Sequence, residues 1–420
     1  MPRPTGLIER RLESVALDRV RHDPVIALQG PRAVGKSTLL RALADKLGGR
    51  VVDLDDPEMR DAVERDPGAF VRGDGPVCID EYQHVPEVLD VIKAELNRDT
   101  RPGRFILTGS TRYDALPRAT QSLTGRIHVA TVRPLSQVEI ERRSGNFVAD
   151  VLADSAATVR GAESTTSPEE YIQRVTTGGF PLALATTPRQ RPAWFENYVA
   201  ASIQRDIREL AMIRQADGVS RLLERLAAQT GQVLNISNAA SAAGIEVRTA
   251  NTWEKLLEAL FLIHRLPAWG RTAASRVGRL PKIHATDSGV AAYLQRLTPE
   301  RLGRRTPTAM TEFGHLLETF VVNELLAQAS WLDDVAGAGH WRTRGRDEVD
   351  LVVERYDGMI AAFEIKASTR VRTDDFKGLR ALRAHAGDDF LSGVVLYTGR
   401  HGYATDDGLY VAPIDRLWCE

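Results

Sequence analysis

Cysteine is almost missing from this chain. Cys78 and Cys419 are the only two in 420 residues. That is too few for a disulfide scaffold, and Cys78 lies inside a buried-strand pattern, which fits a reduced cytoplasmic interior. Aromatic residues make up only 6%. Charge of one sign is also lacking: Lys+Arg 55 against Asp+Glu 56 leaves a net charge of -1. A globally basic nucleic-acid coat protein is thereby excluded, although a local basic patch is not. No apolar run reaches the roughly 18 residues of a membrane span. The nearest, Leu256 to Leu266, is broken by Glu258, His264 and Arg265. The N-terminus runs from Met1 into Glu9-Arg10-Arg11 with no apolar signal core. The expectation is a soluble, cytoplasmic protein without a membrane partner. At about 150 residues per domain, its length suggests two or three domains.

What is present begins with alternation. Between about 7 and 143, short continuously apolar runs (Val25 to Gln29, Val51 to Leu54, Val77 to Asp80, Phe105 to Thr108) are separated by helical patterns. Strands of that kind are buried on both faces, and β and α in alternation imply a parallel sheet covered by helices. Residues 144–169 turn to Ala, Ser, Thr and Gly and are expected to form a linker or mobile loop. A largely helical region, 170–300, follows, and strand patterns return in 301–420. The expected class is α/β: a parallel sheet covered by helices, a helical middle, and a further α/β domain at the C-terminus.

The strongest motif is Gly30-Pro31-Arg32-Ala33-Val34-Gly35-Lys36-Ser37, followed by Thr38. It matches the G-x-x-x-x-G-K-[ST] phosphate loop (Walker A) between an apolar strand and a helix, the context that loop needs. Its glycines let successive N–H groups face phosphate oxygens. Lys36 is placed for the β and γ phosphates, and Ser37 for Mg²⁺. Gly30 through Thr38 are therefore the expected ATP cradle. Val77-Cys-Ile-Asp80-Glu81 is a strand ending in two carboxylates: Asp80 to hold Mg²⁺, Glu81 to orient or deprotonate the attacking water. Phe105 to Ser110 is a further strand, whose tip is expected beside Asp80 with Thr108 or Ser110 sensing the γ-phosphate. Arg112 and Arg126 are candidates to reach that phosphate, in cis or from a neighbouring subunit of a homo-oligomer. An ordinary surface arginine accounts for either equally well.

Asn235 to Leu257 has the pattern of a helix, a turn at Gly244 and a second helix, with strands at Phe261 to Leu266 and Lys282 to His284 as a wing. Arg248, Lys255, Arg265, Arg271, Arg276, Arg279 and Lys282 outnumber Glu246, Glu254 and Glu258, and concentrate on that wing. Phosphate contacts to DNA are expected there. The rival is a packing module whose Trp253, Leu256 and Leu257 are core. Arg205-Asp206 fits a structural ion pair or an inter-domain contact.

Near the C-terminus, Asp350 to Lys366 is expected to form a hairpin with Tyr356-Asp-Gly358 at its tip. With that loop Arg355 faces Met359, Asp350 pairs with Glu364, and Lys366 falls on the same face. A two-residue loop would place the carboxylates on opposite faces. Two converging carboxylates beside a lysine can hold Mg²⁺ and activate water, with Glu318 as a further ligand. A satisfied salt bridge of Lys366 with Glu364 or Asp350 explains the same residues. Asp350, Glu364 and Lys366 with upstream Glu318 resemble the PD-(D/E)xK nuclease pattern.

Taken whole, the chain resembles a family of bacterial and archaeal AAA-like ATPases with a C-terminal domain of unknown function. The resemblance rests on Gly30 to Thr38, Ile79-Asp-Glu81, Leu107-Thr-Gly-Ser110, Arg133-Pro-Leu-Ser136, Gly178-Gly-Phe-Pro181, Arg205-Asp-Ile207, Pro281 to Asp287 and Phe363-Glu-Ile-Lys-Ala367. No residue matches the second sensor arginine of standard AAA machines. The resemblance implies ATP binding and hydrolysis by a P-loop NTPase parallel sheet, followed by a helical winged-helix-like middle and an α/β nuclease-like C-terminal domain. The expected function is an ATP- and Mg²⁺-dependent ATPase whose nucleotide state drives a C-terminal nucleic-acid module. The alternatives are an ATP-gated, metal-dependent DNA nuclease and a non-hydrolysing ATP switch acting on a protein partner.

Overall fold

The computed structural model describes residues 6–113, 123–206, 216–343, 345 and 347–419. Five short strands, β1 (Val25–Gln29), β2 (Arg50–Asp53), β3 (Val77–Asp80), β4 (Phe105–Gly109) and β5 (Ile127–Thr131), form one sheet in the order β2-β3-β4-β1-β5. Every pair is parallel. Parallel strands need crossover connections, and the helices that supply them bury both faces of the sheet. Ile26 and Leu28 pack to one side with helix Lys36–Leu47; Val25 and Ala27 pack to the other with helix Val88–Leu96. This is the P-loop NTPase fold. Its strand order sets β3 and β1 on either side of β4, so their carboxyl ends gather at one rim.

In the middle region, helix Ala216–Ala227 is followed by β6 (Gln232–Val233), helices Ile236–Ala243 and Val247–Ala259, β7 (Ile263–Leu266) and β8 (Lys282–Ala285). The three strands are antiparallel in the order β6-β8-β7. Gly244, at φ 68°, ends the helix before the turn in the left-handed conformation that glycine adopts freely. The middle is not a separate bead: Leu222, Trp253 and Leu257 share one core with Leu28, Leu40 and Leu43 of the ATPase domain.

The C-terminal sheet adds β9 (Val335–Arg342), β10 (Glu348–Arg355), β11 (Ile360–Lys366), β12 (Phe390–Tyr397), β13 (Tyr403–Ala404) and β14 (Tyr410–Pro413), in the order β13-β14-β12-β11-β10-β9. β9, β10 and β11 are antiparallel neighbours, and β11 runs parallel to β12. The 23-residue helix Pro307–Ala329 packs against β10 and β11.

Residues 144–169 are not the loose linker their composition suggested. They contain helix Phe147–Val159, capped by the Asn146 side chain on the Ala149 amide. Phe147, Val148, Val151 and Leu152 are buried in a core shared with Phe363, Leu396 and Trp418. Small residues there allow close packing: Ser155 Oγ donates to Ser392 Oγ at 2.7 Å. Among the described residues no helix is long and apolar enough to cross a membrane.

Candidate functional site

The phosphate loop connects β1 to helix Lys36–Leu47. Gly35, with φ 93°, and Ala33, with φ 60°, curl the backbone into the left-handed region. A Cβ on Gly30 would meet the Val132 carbonyl at 2.2 Å, so only glycine fits there. Lys36 is 4% exposed and donates to the carbonyls of Gly30 and Pro31 at 3.1 and 3.0 Å. Burial, aided by Arg32, pushes its pKa down, while Glu81 and Asp80 oppose that. Its Nζ lies 3.7 Å from Glu81 Oε1.

Asp80 and Glu81 are held by the neighbouring strand. Thr108 donates to the Asp80 carboxylate and accepts from the Glu81 amide at 3.1 Å. Glu81 has φ 51°, a left-handed conformation costing a non-glycine residue about 1 kcal/mol. Gln83 Nε2 donates to Glu81 and to Ser110 Oγ, the latter at 2.9 Å. Burial would raise the Glu81 pKa, but Lys36, Gln83, Arg32 and Ser110 together hold it low, so the group stays a carboxylate. Burial raises that of Asp80 against its bonds to Thr108 and Ser37. Asp80 and the hydroxyl of Ser37 are hard oxygen donors already in contact, and they fit Mg²⁺. Thr108 and Ser110 therefore sit where the sequence placed them, but their bonds make them positioning residues for the two carboxylates. Gln83 was not anticipated; the run after Glu81 carries no pattern that marks it.

Arg126 does not reach this site in its own chain. It precedes β5, at the opposite end of the sheet from the phosphate loop, and donates to Asn97 Oδ1 at 2.8 Å. Arg112 is close by, and its amide donates to the carbonyl of Ala259 at 2.9 Å, tying the end of β4 to helix Val247–Ala259.

The basic surplus of the middle region is engaged within the chain. Arg265 pairs with Glu258 and Glu254, Arg271 with Asp389 and Arg276 with Glu354. Arg279 donates to the Arg342 carbonyl at 3.1 Å, and Lys282 is buried. The β7–β8 segment thus docks on the C-terminal domain through Arg271, Arg276 and Arg279. Arg248, Asn251, Thr252 and Lys255 remain exposed along one face of helix Val247–Ala259. The side chains of Arg205 and Asp206 lie outside the described residues, as does Ile207.

At the C-terminus the hairpin has the expected register. Arg355 donates its amide to Met359 at 2.9 Å, Gly358 has φ 87°, and Leu351 pairs with Phe363. Asp350 and Glu364 therefore stand opposite, and Asp350 Oδ2 accepts from the Ile365 amide at 2.9 Å. Lys366 Nζ lies 2.6 Å from Glu364. Glu318, the further carboxylate expected from the sequence, joins them from helix Pro307–Ala329. Lys282 Nζ sits between the acids, 2.7 Å from Glu318, 2.6 Å from Glu348 and 2.8 Å from Asp350. Burial, with Asp350 beside it, pushes the Glu318 pKa up to about 8. An ammonium fills the space between the carboxylates, so as arranged these residues do not fit Mg²⁺. No other group of three or more His, Cys, Asp or Glu among the described residues could hold a metal either.

Comparison with family models agrees with the phosphate-loop geometry. Residues 22–141 match the family model of the AAA domain. Residues 168–301 and 313–417 match two domains of unknown function, DUF8612 and DUF4143. Uncharacterized proteins of Mycobacterium bovis and Mycobacterium tuberculosis are each 28% identical over 416 residues, covering 98% of this chain and 85% of theirs. Among solved structures, a Walker-type ATPase of Pyrococcus abyssi is 15% identical, with a TM-score of 0.42, over 69% of this chain and 96% of that one. A signal transduction ATPase with a tetratricopeptide repeat sensor from Pyrococcus horikoshii is 12% identical, with a TM-score of 0.28, over 76% and 49%. Over residues 22–141 the chain thus combines a match to the AAA domain model with the phosphate-loop geometry that ATP binding needs.

Proposed function

We propose that the chain hydrolyses ATP with Mg²⁺ and passes its nucleotide state to the middle and C-terminal regions. The observation that carries this is the Glu81 carboxylate, kept ionised 3.7 Å from the Lys36 ammonium and fixed by Gln83. Backbone N–H groups of residues 32–37 bind the phosphates, and Lys36 leaves its carbonyl partners to neutralise the β and γ oxygens. Glu81 orients the attacking water and takes up its proton. Bound by Ser37 and Asp80, Mg²⁺ would neutralise charge developing on the phosphate oxygens. Loss of the γ-phosphate alters what Lys36 and the β4 tip touch, and the Arg112 amide carries that change to Ala259. The test is steady-state ATP turnover of the purified chain, with and without duplex DNA. Mg²⁺-dependent turnover is expected. Tight ATP binding with no turnover would overturn the hydrolase reading and leave an ATP switch acting on a protein partner.

The exposed face Arg248, Asn251, Thr252 and Lys255 favours a second reading, DNA binding by the middle region. The order helix, strand, helix, helix, strand, strand supports a winged-helix assignment. Its third helix, Val247–Ala259, would enter the major groove, with those four side chains toward base edges and phosphates. Stimulation of turnover by DNA is the outcome expected from this reading.

A further inference from the structure

β8 is the central strand of the middle sheet, and its residues alternate faces with a period of two. Lys282 and His284 therefore point the same way, toward helix Pro307–Ala329. His284 Nδ1 lies 3.1 Å from Thr319 Oγ1, and Lys282 Nζ lies 2.7 Å from Glu318 Oε1. Lys282 is 1% exposed, and an ammonium so buried must find anionic partners. Three carboxyl groups surround it, and two of them, Glu318 and Asp350, belong to the acid group facing Glu364. The second oxygen of Glu364, Oε2, is buried without a hydrogen-bond partner. Four carboxyl groups and two lysines gather here, with Glu348 and Lys366 at the partly exposed edge. The acids are arranged to hold a cation, and the cation they hold belongs to the neighbouring domain.

We propose that the Lys282 ammonium occupies a latent divalent-cation site formed by Glu318, Asp350 and Glu364, and closes it to metal for as long as β8 stays docked. The inference is independent of the ATPase reading, because it concerns a different domain and needs no nucleotide. It states why the C-terminal acids are brought together yet do not fit Mg²⁺ in this arrangement. It also makes β8 the element whose withdrawal would open the site. Methionine at 282 would keep the length of the lysine side chain without its charge.

The test is Mn²⁺ titration of the full chain without nucleotide, followed by the EPR signal of free Mn²⁺, for wild type, Lys282→Met and Lys282→Met/Asp350→Asn. Wild type should show no saturable Mn²⁺ binding at the C-terminal acids. Lys282→Met should bind Mn²⁺ at least about tenfold more tightly than wild type, and the added Asp350→Asn should abolish the gain. The melting temperature gives a second readout: Mn²⁺ should raise that of Lys282→Met and leave that of wild type unchanged. Removing the ammonium alone leaves buried acids uncompensated. Lys282→Met/Glu348→Gln removes one acid with it while sparing the three proposed ligands, and should bind Mn²⁺ as well. Failure of both Lys282 variants to gain Mn²⁺ would overturn the proposal. So would wild-type binding that Asp350→Asn removes, or a gain that Asp350→Asn leaves intact.

Discussion

Arg112 donates its backbone amide to the carbonyl of Ala259 at 2.9 Å, and its guanidinium lies 3.5 Å from the Glu258 carboxylate. The strand that carries Thr108 and Ser110 is thereby joined to the helix bearing the exposed basic face. Glu258 also accepts from Arg265 Nε at 2.8 Å, so a single buried carboxylate holds an arginine from each side of the domain boundary.

Removing that carboxylate leaves two guanidinium groups without it. Both arginines are about one-third exposed, which limits the loss. Glu258→Ala is expected to lower unfolding stability by about 1–3 kcal/mol. Glu169→Ala, which breaks the exposed Glu169–Arg305 pair, should leave stability unchanged. Urea unfolding of the two variants side by side is the check. Equal, negligible effects would show that the Glu258 link contributes nothing to joining the domains.

At the phosphate site the two charged partners have separable roles. Lys36→Ala removes the cation that faces the phosphates, and is expected to abolish ATP binding while the fold persists. Glu81→Gln keeps the size of the side chain and removes its charge. Nucleotide should still bind, with turnover reduced about 100-fold or more. ATP titration followed by single-turnover hydrolysis separates these outcomes. Normal hydrolysis by Glu81→Gln would remove Glu81 from the mechanism.

The exposed helix face makes a graded prediction. If Arg248 and Lys255 touch DNA phosphates, each replacement by alanine should weaken binding and lower the slope of log affinity against log salt by about 1. Arg276→Ala, whose partner is Glu354 within the chain, should leave that slope unchanged. Filter binding at several salt concentrations is the measurement. A chain with no affinity at low salt would assign this face to a protein partner instead.

The sheet and the phosphate loop were legible because their signals are local. Continuous apolar runs mark strands buried on both faces, and a glycine-rich turn ahead of Lys36 has one common use. The hairpin register was legible for the same reason, since the three-residue loop fixes which residues face each other. The positions of Lys282 and Glu258 were not, because a lysine or glutamate in isolation looks solvated, and only tertiary packing supplies its partner. Composition also misled at residues 147–159, where Phe147, Val148, Val151, Leu152, Ser155 and Val159 form the buried face of a helix whose alanines lie outside it. Three of the segments that carry the family resemblance, those holding Leu135, Gly179 and Asp287, meet in space. The Gly179 amide donates to Asp287 Oδ2 at 2.7 Å, the Leu135 amide donates to the Gly179 carbonyl at 2.8 Å, and a Cβ on Gly179 would lie 2.2 Å from the Leu135 carbonyl. These residues form a joint between the ATPase and middle regions, a role that no single segment reveals.

Glu324 gives the molecule a pH dependence that can be isolated. It lies on helix Pro307–Ala329, and Oε2 accepts from the Gln137 amide at 2.8 Å. Burial pushes its pKa from the ordinary 4.5 up to about 8, partly offset by that bond and by Arg174. The folded chain therefore holds this proton more tightly than the unfolded chain does. The resulting stability is fully present below pH 4.5 and is lost as pH rises toward 8. Glu318 and Asp287, raised to about 8 and about 6 by burial, act in the same direction. Glu324→Gln keeps an acceptor for the Gln137 amide and removes the ionisation. It should match wild type near pH 5 and exceed it by up to a few kcal/mol near pH 8, with a flatter profile between. Urea midpoints across that range decide the matter. Parallel profiles for the two proteins would mean that Glu324 ionises in the folded chain at its ordinary pH.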